Sequence, residues 1–161
     1  MIWRIKIGFV RITLTIAPVT KVIGVNSNLD KEKKWHILMW DFDDVPFLNV
    51  HWTLYTIQKR FKLPNIYIFQ TDKFHYIAYC FKKCTWREAI RIVACTDYVD
   101  LDFFKYGVYR GHFTLRISPK GNKPKPKLIY TIKSKVPEDV KPKDLKHFVI
   151  YETLYEPKQK R

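Results

Sequence analysis

The sequence predicts an α+β fold, in which a mostly antiparallel sheet carries helices packed on one face. Two observations lead to this prediction. Short runs of alternating apolar residues, typical of strands, recur along the chain between turn-forming residues. Two segments carry helix-start signals in front of apolar residues. With 161 residues, 47% of them hydrophobic, the whole chain is expected to form a single domain with a buried core.

The first predicted strands lie near the N-terminus. Residues 3–16 alternate between apolar and polar side chains, and Pro18 and Gly24 divide this region into a hairpin or two short strands. Residues 26–34 are polar and charged, which indicates a loop. A longer and more apolar strand is predicted at residues 35–43.

A helix and a hairpin are predicted next. The sequence Asp44-Val45-Pro46 is typical of a helix start, because an acidic residue caps free amides and proline suits the first turn. This helix should run to about residue 62, where Leu63-Pro64 ends it. Residues 66–81 then predict a β-hairpin, with a polar turn at residues 70–73.

The second helix has the clearer start signal. Thr85 and Glu88 have the spacing of a capping box, and the helix that they open should end near Cys95. Residues 101–118 are predicted to be strand-rich. The elements between residues 35 and 118 therefore follow the order β-α-β-β-α-β, which predicts a core like that of the RNA-recognition motif.

The C-terminal third is predicted to be more irregular. Residues 120–127, rich in lysine and proline, indicate a flexible basic loop, and residues 128–133 predict a strand. Residues 135–146 indicate a loop with a helical turn. A last strand is predicted at residues 147–154, followed by a basic tail at residues 157–161.

The charge of the chain predicts a polyanionic partner. Lys and Arg number 30 against 15 Asp and Glu, which gives a net charge of +15. Nucleic acid is the first expectation and an anionic membrane surface the second, while a solvated cationic surface without a partner is the third reading. The N-terminal apolar runs are interrupted by Arg4, Lys6 and Arg11, which argues against a signal peptide or a membrane span.

The cysteines predict a reducing compartment. The chain has three cysteines and no secretion signal, so reduced thiols and a cytoplasmic location are expected. Cys80 and Cys84 have a spacing that zinc sites also use, but no Cys/His set completes four ligands. The abundance of Lys, Ile and Tyr and the scarcity of glycine favour a thermophile and a mobile element such as an archaeal virus or plasmid.

Two acidic residues at the end of the central strand predict a metal site. Asp41 and Asp43 alternate along the strand, so both side chains should point to the same face. Two neighbouring carboxylates repel each other unless a cation lies between them, and Mg2+ or Mn2+ prefers such oxygen ligands. The alternative is that Asp43, together with Asp44, only caps the helix that follows.

Other charged residues follow within about eighty positions. His75 comes directly after the polar turn of the hairpin, and Asp100 and Asp102 form a second alternating acidic pair. Arg110 and Arg116 have the same parity, so they would share one face of a predicted strand. Such a face could line a phosphate-binding surface, although cross-strand salt bridges with the acids would explain the same pattern.

These features, in this order, resemble the motifs of the archaeo-eukaryotic primase superfamily. The first motif of that family, an apolar strand followed by Asp-x-Asp, is matched by residues 38–43. The second motif, a small polar residue before a histidine, is similar to residues 71–75, with Lys73 where a small residue is usual. The third motif, an apolar residue before Asp, fits both Val99-Asp100 and Leu101-Asp102. The resemblance covers about residues 35–122.

The resemblance implies a minimal catalytic core of a primase-polymerase, which performs nucleotidyl transfer. Asp41, Asp43 and one of Asp100 or Asp102 would hold two Mg2+ or Mn2+ ions. Two metal ions stabilise both the attacking and the leaving oxygen in such a displacement. The partners implied are a single-stranded DNA or RNA template, nucleoside triphosphates and, if one takes part, a separate helicase.

The resemblance also assigns the phosphate contacts. His75 would contact the triphosphate, and Arg110, Arg116 and Lys120 would neutralise phosphate charge. Two other function classes remain open. The chain could be a non-catalytic single-strand binder that stacks bases on exposed aromatic residues such as Tyr106 or Tyr109, or a small metal-dependent nuclease.

Overall fold

The structure is a computed structural model that describes residues 2–154, so the predicted basic tail at residues 157–161 lies outside the described residues. The described strands are β1 (Ile2–Ile7), β2 (Val10–Thr15), β3 (Val19–Asn26), β4 (Trp35–Phe42), β5 (Ile66–Asp72), β6 (His75–Thr85), β7 (Thr114–Arg116), β8 (Lys127–Ile132) and β9 (Phe148–Leu154). The helices are α1 (Phe47–Phe61), α2 (Trp86–Ala94), α3 (Leu101–Arg110) and a short 3-10 helix (Pro142–Asp144).

The strands form three antiparallel sheets, which confirms the predicted α+β class. The central sheet has the strand order β4-β6-β5-β8, a second sheet has the order β7-β3-β9, and β1 pairs with β2. The last strand of the predicted β-α-β-β-α-β order, β7, pairs with β3 in the second sheet. An arrangement in one sheet, as in the RNA-recognition motif, is therefore not confirmed.

Helices α1 and α2 pack side by side on one face of the central sheet. The Trp40 indole of β4 donates a hydrogen bond of 2.9 Å to the Thr96 hydroxyl just after α2. The Asp97 amide donates to the Thr53 hydroxyl of α1 at 3.1 Å, which ties the two helices together. Leu54 of α1 is fully buried in the core that this packing forms. The second sheet lies against the opposite face of the central sheet.

The two predicted helix starts have different outcomes. The capping box of α2 is confirmed, since Glu88 N donates to the Thr85 hydroxyl at 3.3 Å and Thr85 N donates to the Glu88 carboxylate at 2.9 Å. The predicted acidic cap of α1 is wrong. The N-cap position is occupied by Pro46, and no side chain among residues 2–154 caps it. Asp44 instead adopts a positive φ of 57° in the turn before α1.

The prediction of strands throughout residues 101–118 is wrong, because residues 101–110 form α3. Asp100 begins this helix by accepting a hydrogen bond of 2.6 Å from Phe103 N, and Gly111 ends it with a φ of 71°. The helix packs on the fully buried Phe113, which stacks on Phe103 at a centroid distance of 5.0 Å. Gly107 is the buried residue of this helix against Phe113, whereas Tyr106 and Tyr109 remain exposed.

The N-terminal hairpin is confirmed, with its turn at Gly8 and Phe9 rather than at a later breaker. Among residues 2–154, β1 and β2 pair only with each other. The cross-strand pair of Ile5 and Ile12 lies on a face that stays about half exposed. No helix in the described part of the chain is both long enough and apolar enough to cross a membrane.

Candidate active site

A cleft of about 210 Å³ opens between the central sheet and the second sheet. The end of β4, the β5–β6 turn, β7, the loop after β7 and β9 all contribute to its walls. The charged and hydroxyl-bearing side chains that concern its chemistry are Asp41, Asp43, His75, Arg116, Lys120, Lys123 and Tyr151. The cleft therefore combines two carboxylates with several cationic side chains.

The two carboxylates of the first motif line the same cleft. Asp41 lies on β4 opposite Ile77 of β6, and Asp43 follows directly after the strand. Burial first, and then the negative charges of Asp43 and Asp100, raise the pKa of the Asp41 carboxyl from 3.8 to about 7. The alternation of the strand thus gathers negative charge at a partly buried position, where a cation would relieve the repulsion.

His75 links the hairpin to the acidic end of β4. Its Nδ1 lies 2.7 Å from an Asp43 carboxylate oxygen, and its Nε2 lies 3.4 Å from a carboxylate oxygen of Asp44. Asp43 therefore orients a ring rather than capping α1. Since both nitrogens already face carboxylates, a phosphate could reach His75 only if the ring exchanged one of these contacts.

The structure distinguishes between the two candidates for a third carboxylate. The Asp100 amide donates a hydrogen bond of 2.8 Å to the Asp41 backbone oxygen, so Asp100 lies beside the cleft. One of its carboxylate oxygens caps α3. Neither Asp100 nor Asp102 lines the cleft itself, but the charge of Asp100 acts on Asp41, whereas Asp102 is exposed in the first turn of α3. Asp100 is the better placed of the two.

The cationic wall of the cleft is formed by β7 and the loop that follows. The Arg116 guanidinium donates to the backbone oxygens of Ser118 at 2.6 Å and Pro124 at 2.8 Å, which fixes its orientation. Burial lowers the pKa of this guanidinium, an effect that nearby Tyr151 and Asp41 oppose. Lys120 also lines the cleft.

The prediction that Arg110 and Arg116 share a strand face is wrong, because Arg110 is the last residue of α3. Arg110 lines a neighbouring pocket of about 490 Å³, which shares Thr114 and Tyr151 with the cleft. The two arginines are therefore separated by these shared residues. A single nucleic acid strand that follows the surface could still contact both arginines.

Tyr151 and Lys123 are cleft residues that the sequence analysis missed. Burial raises the pKa of the Tyr151 phenol, whereas the nearby cations Arg116 and Arg110 lower it. Tyr151 comes from β9, which only the pairing of β9 with β3 brings to the cleft. Lys123 faces the cleft because Lys120 and Lys123 exchange two backbone hydrogen bonds in a tight turn. The lysine-rich loop was a signal for Lys123, but nothing local marked Tyr151.

The carboxylates fit one Mg2+ or Mn2+ ion better than a preformed two-metal centre. Among residues 2–154, no group of three or more His, Cys, Asp or Glu side chains is placed to share a metal. Mg2+ usually binds proteins through one or two carboxylates and completes its shell with water and substrate phosphates. Asp41 and Asp43 match that donor set, since both carboxylates line the same cleft.

Comparison with known proteins yields no match to any family model, curated protein or solved structure. The motifs and the geometry of the cleft are therefore the observations that bear on function.

Proposed function

We propose that this protein is a metal-dependent nucleotidyltransferase of the primase-polymerase type, which acts on a single-stranded nucleic acid template. The observation that carries the proposal is the meeting of Asp41, Asp43 and His75 with Arg116 and Lys120 in one cleft. These residues come from the motifs that resemble the primase superfamily. These residues lie far apart in the sequence, and their convergence in one cleft therefore supports a shared role.

The residues of the cleft divide into two groups. Asp41 and Asp43 would hold the divalent ion, with Asp100, whose charge acts on Asp41, as a further carboxylate beside them. The bound ion supplies Lewis-acid stabilisation of the charge that develops on the phosphoryl oxygens. Arg116 and Lys120 would bind the triphosphate, because guanidinium and ammonium groups pair strongly with phosphate.

The proposal is tested by extension of a labelled primer on a single-stranded template with Mg2+ or Mn2+ and nucleoside triphosphates. The double variant Asp41→Asn/Asp43→Asn should lose activity by on the order of 100-fold or more. Binding of the template, measured separately, should persist because the cationic side chains remain. Asp97→Asn, an exposed acid on the helix side of the molecule, is the matched control and should keep full activity.

The third carboxylate is tested with single variants in the same assay. Asp100→Asn keeps an oxygen that can cap α3, so the fold should persist while activity falls. Asp102→Asn should have the smaller effect, since this side chain is exposed outside the cleft.

Equal extension by the wild type and the double variant would contradict the enzymatic proposal. Degradation of the labelled strand in Mg2+, without extension, would instead indicate a nuclease.

A non-catalytic single-strand binding protein is the second candidate function. The observation that favours it is on α3, where Tyr106 and Tyr109 are 59% and 89% exposed. The Arg110 guanidinium lies 5.6 Å from the Tyr106 ring centroid. Exposed aromatic rings next to cations bind single strands by stacking with the bases. For this candidate, the wild type should bind single strands but extend no primer, and the Asp41 and Asp43 substitutions should not weaken that binding.

A further inference from the structure

A second cavity lies beside the cleft, on the face of the central sheet opposite the helices. Its volume is about 420 Å³, within the range of about 300–1,000 Å³ that is typical of ligand pockets. Four aromatic side chains of β5 and β6 line it: Tyr67, Phe69, Tyr79 and Phe81. They form two edge-to-face pairs, Tyr67 with Phe81 and Phe69 with Tyr79, each with centroids 5.6 Å apart. The wall is therefore broad, apolar and built on strands.

The aromatic cavity adjoins the cationic wall of the cleft. Ile77 and Arg116 line both spaces, and Lys125 lines the cavity. Because two backbone oxygens hold the Arg116 guanidinium, its charge stays at the boundary between the two spaces. A ligand with an apolar ring and an attached phosphate would satisfy both environments at once.

The polar side of the cavity comes from Glu138 rather than from Tyr79. Tyr79 is only 7% exposed, and less than 1 Å² of its hydroxyl oxygen is accessible, so a ligand in the cavity would contact the Tyr79 ring. At the same cavity, Glu138 accepts a hydrogen bond of 2.6 Å from Tyr67.

We propose that this cavity receives one unstacked base of a single-stranded nucleic acid, while Lys125 holds the adjoining phosphate. Single-strand recognition commonly uses splayed bases that pack on aromatic rings and bond through their edges. The base would pack on the aromatic wall, and Glu138 would accept a hydrogen bond from an exocyclic amino group. The inference rests on the proposed function only in requiring that a single strand enters the cleft.

The base is that of the bound strand rather than of an incoming nucleotide. A base enclosed by protein cannot pair with a template, so an incoming nucleotide in this cavity could not be selected by base pairing. An unpaired base of the strand itself has no such restriction. A strand with one base anchored in the cavity would also have a fixed position relative to Asp41 and Asp43.

The test compares two eight-nucleotide strands, one fully abasic and one abasic except for a single adenine. Fluorescence anisotropy with the full chain gives the affinity for each. The wild type should bind the strand with adenine about tenfold more tightly. Leu145→Trp, which fills the cavity from its wall, should abolish this preference and leave the affinity for the abasic strand unchanged.

The matched control is Tyr109→Leu, which removes an exposed ring on α3 and should keep the preference. The inference is overturned if the wild type binds both strands equally, or if Tyr109→Leu rather than Leu145→Trp removes the preference. Both of those results leave the proposed function standing, because primer extension tests it independently. If the wild type binds neither strand, the inference is overturned as well, and primer extension still decides the proposed function.

Discussion

At the scale of single residues, Asp41 carries an electrostatic cost that can be measured. Its folded-state pKa of about 7 lies above the ordinary value of 3.8. The folded state therefore retains a proton that the unfolded state loses, and the free energy of unfolding falls as the pH rises through this window. We expect Asp41→Asn to raise the free energy of unfolding, more at pH 8 than at pH 5. The gain is at most a few kcal/mol, since one pKa unit is worth about 1.4 kcal/mol.

The measurement is urea denaturation in EDTA at both pH values. Asp97→Asn, at an exposed position, should change stability at neither pH. If Asp41→Asn destabilises the protein at pH 8, the carboxylate is not an uncompensated charge, and the argument for a cation site loses its main support.

The close packing of Gly107 leads to a second prediction at this scale. A Cβ atom built at Gly107 would lie 2.3 Å from the Phe113 ring, which is buried and held between neighbouring aromatic side chains. Gly→Ala inside a helix normally gains about 1 kcal/mol. Here we expect Gly107→Ala to lower the free energy of unfolding by about 1–3 kcal/mol, because the core must shift to admit the methyl group.

Chemical denaturation tests this expectation, with Lys105→Ala as the control in an exposed position of the same helix. The control should stay within about 0.5 kcal/mol of the wild type. A stabilised Gly107→Ala variant would mean that α3 does not pack on Phe113 as described.

At the scale of elements, the two helices on the central sheet should respond differently to loss of their predicted caps. Thr85→Ala removes one half of the capping box of α2 and should cost about 1 kcal/mol of stability. Asp44→Gly should cost less, because Asp44 is not the cap of α1, its contact with His75 is 3.4 Å long at an exposed position, and glycine adopts the positive φ of this residue freely. Thermal or urea unfolding of both variants compares the two costs. Equal losses would restore Asp44 as a cap.

Some helices and strands could be predicted from the sequence, and others could not. Strands with continuous apolar runs, such as β4, and the helix with a capping box, α2, were predicted because their signals are local. Helix α3 was missed, since its aromatic residues suit a strand equally well. Long-range packing on Phe113 decides in favour of the helix.

The residues of the candidate site also divide into those with a local sequence signal and those without one. Asp41, Asp43 and His75 could be predicted because each follows a strand or turn with a clear local signal. Arg110 was assigned to a strand with Arg116 because α3 was not recognised. Tyr151 could not be found, since only the pairing of β9 with β3 brings it to the cleft. Such pairing between distant strands leaves no mark within a short stretch of sequence.

At the scale of the whole molecule, the net charge of +15 predicts that binding of a single strand weakens steeply with salt. Helices α1 and α2 cover one face of the central sheet, and the cleft with its lysines opens on the other. A single strand should therefore release counterions mainly from phosphates that contact the cleft side. Each phosphate neutralised on a single strand contributes about −0.7 to the slope of log affinity against log salt concentration.

We therefore expect Lys120→Ala/Lys123→Ala to make this slope shallower by about 1.4, the contribution of two phosphate contacts. Lys59→Ala is the matched control, since Lys59 lies on α1, where its ammonium group is 5.1 Å from the Tyr55 ring centroid. It removes a similar charge from the helix side and should leave the slope unchanged. Affinities measured by fluorescence anisotropy between 50 and 300 mM NaCl (roughly the range over which such slopes are resolved) give both values. If removing Lys59 lowers the slope as much as removing a cleft lysine, the charge acts as a diffuse cationic surface, and the cleft has no special part in holding the strand.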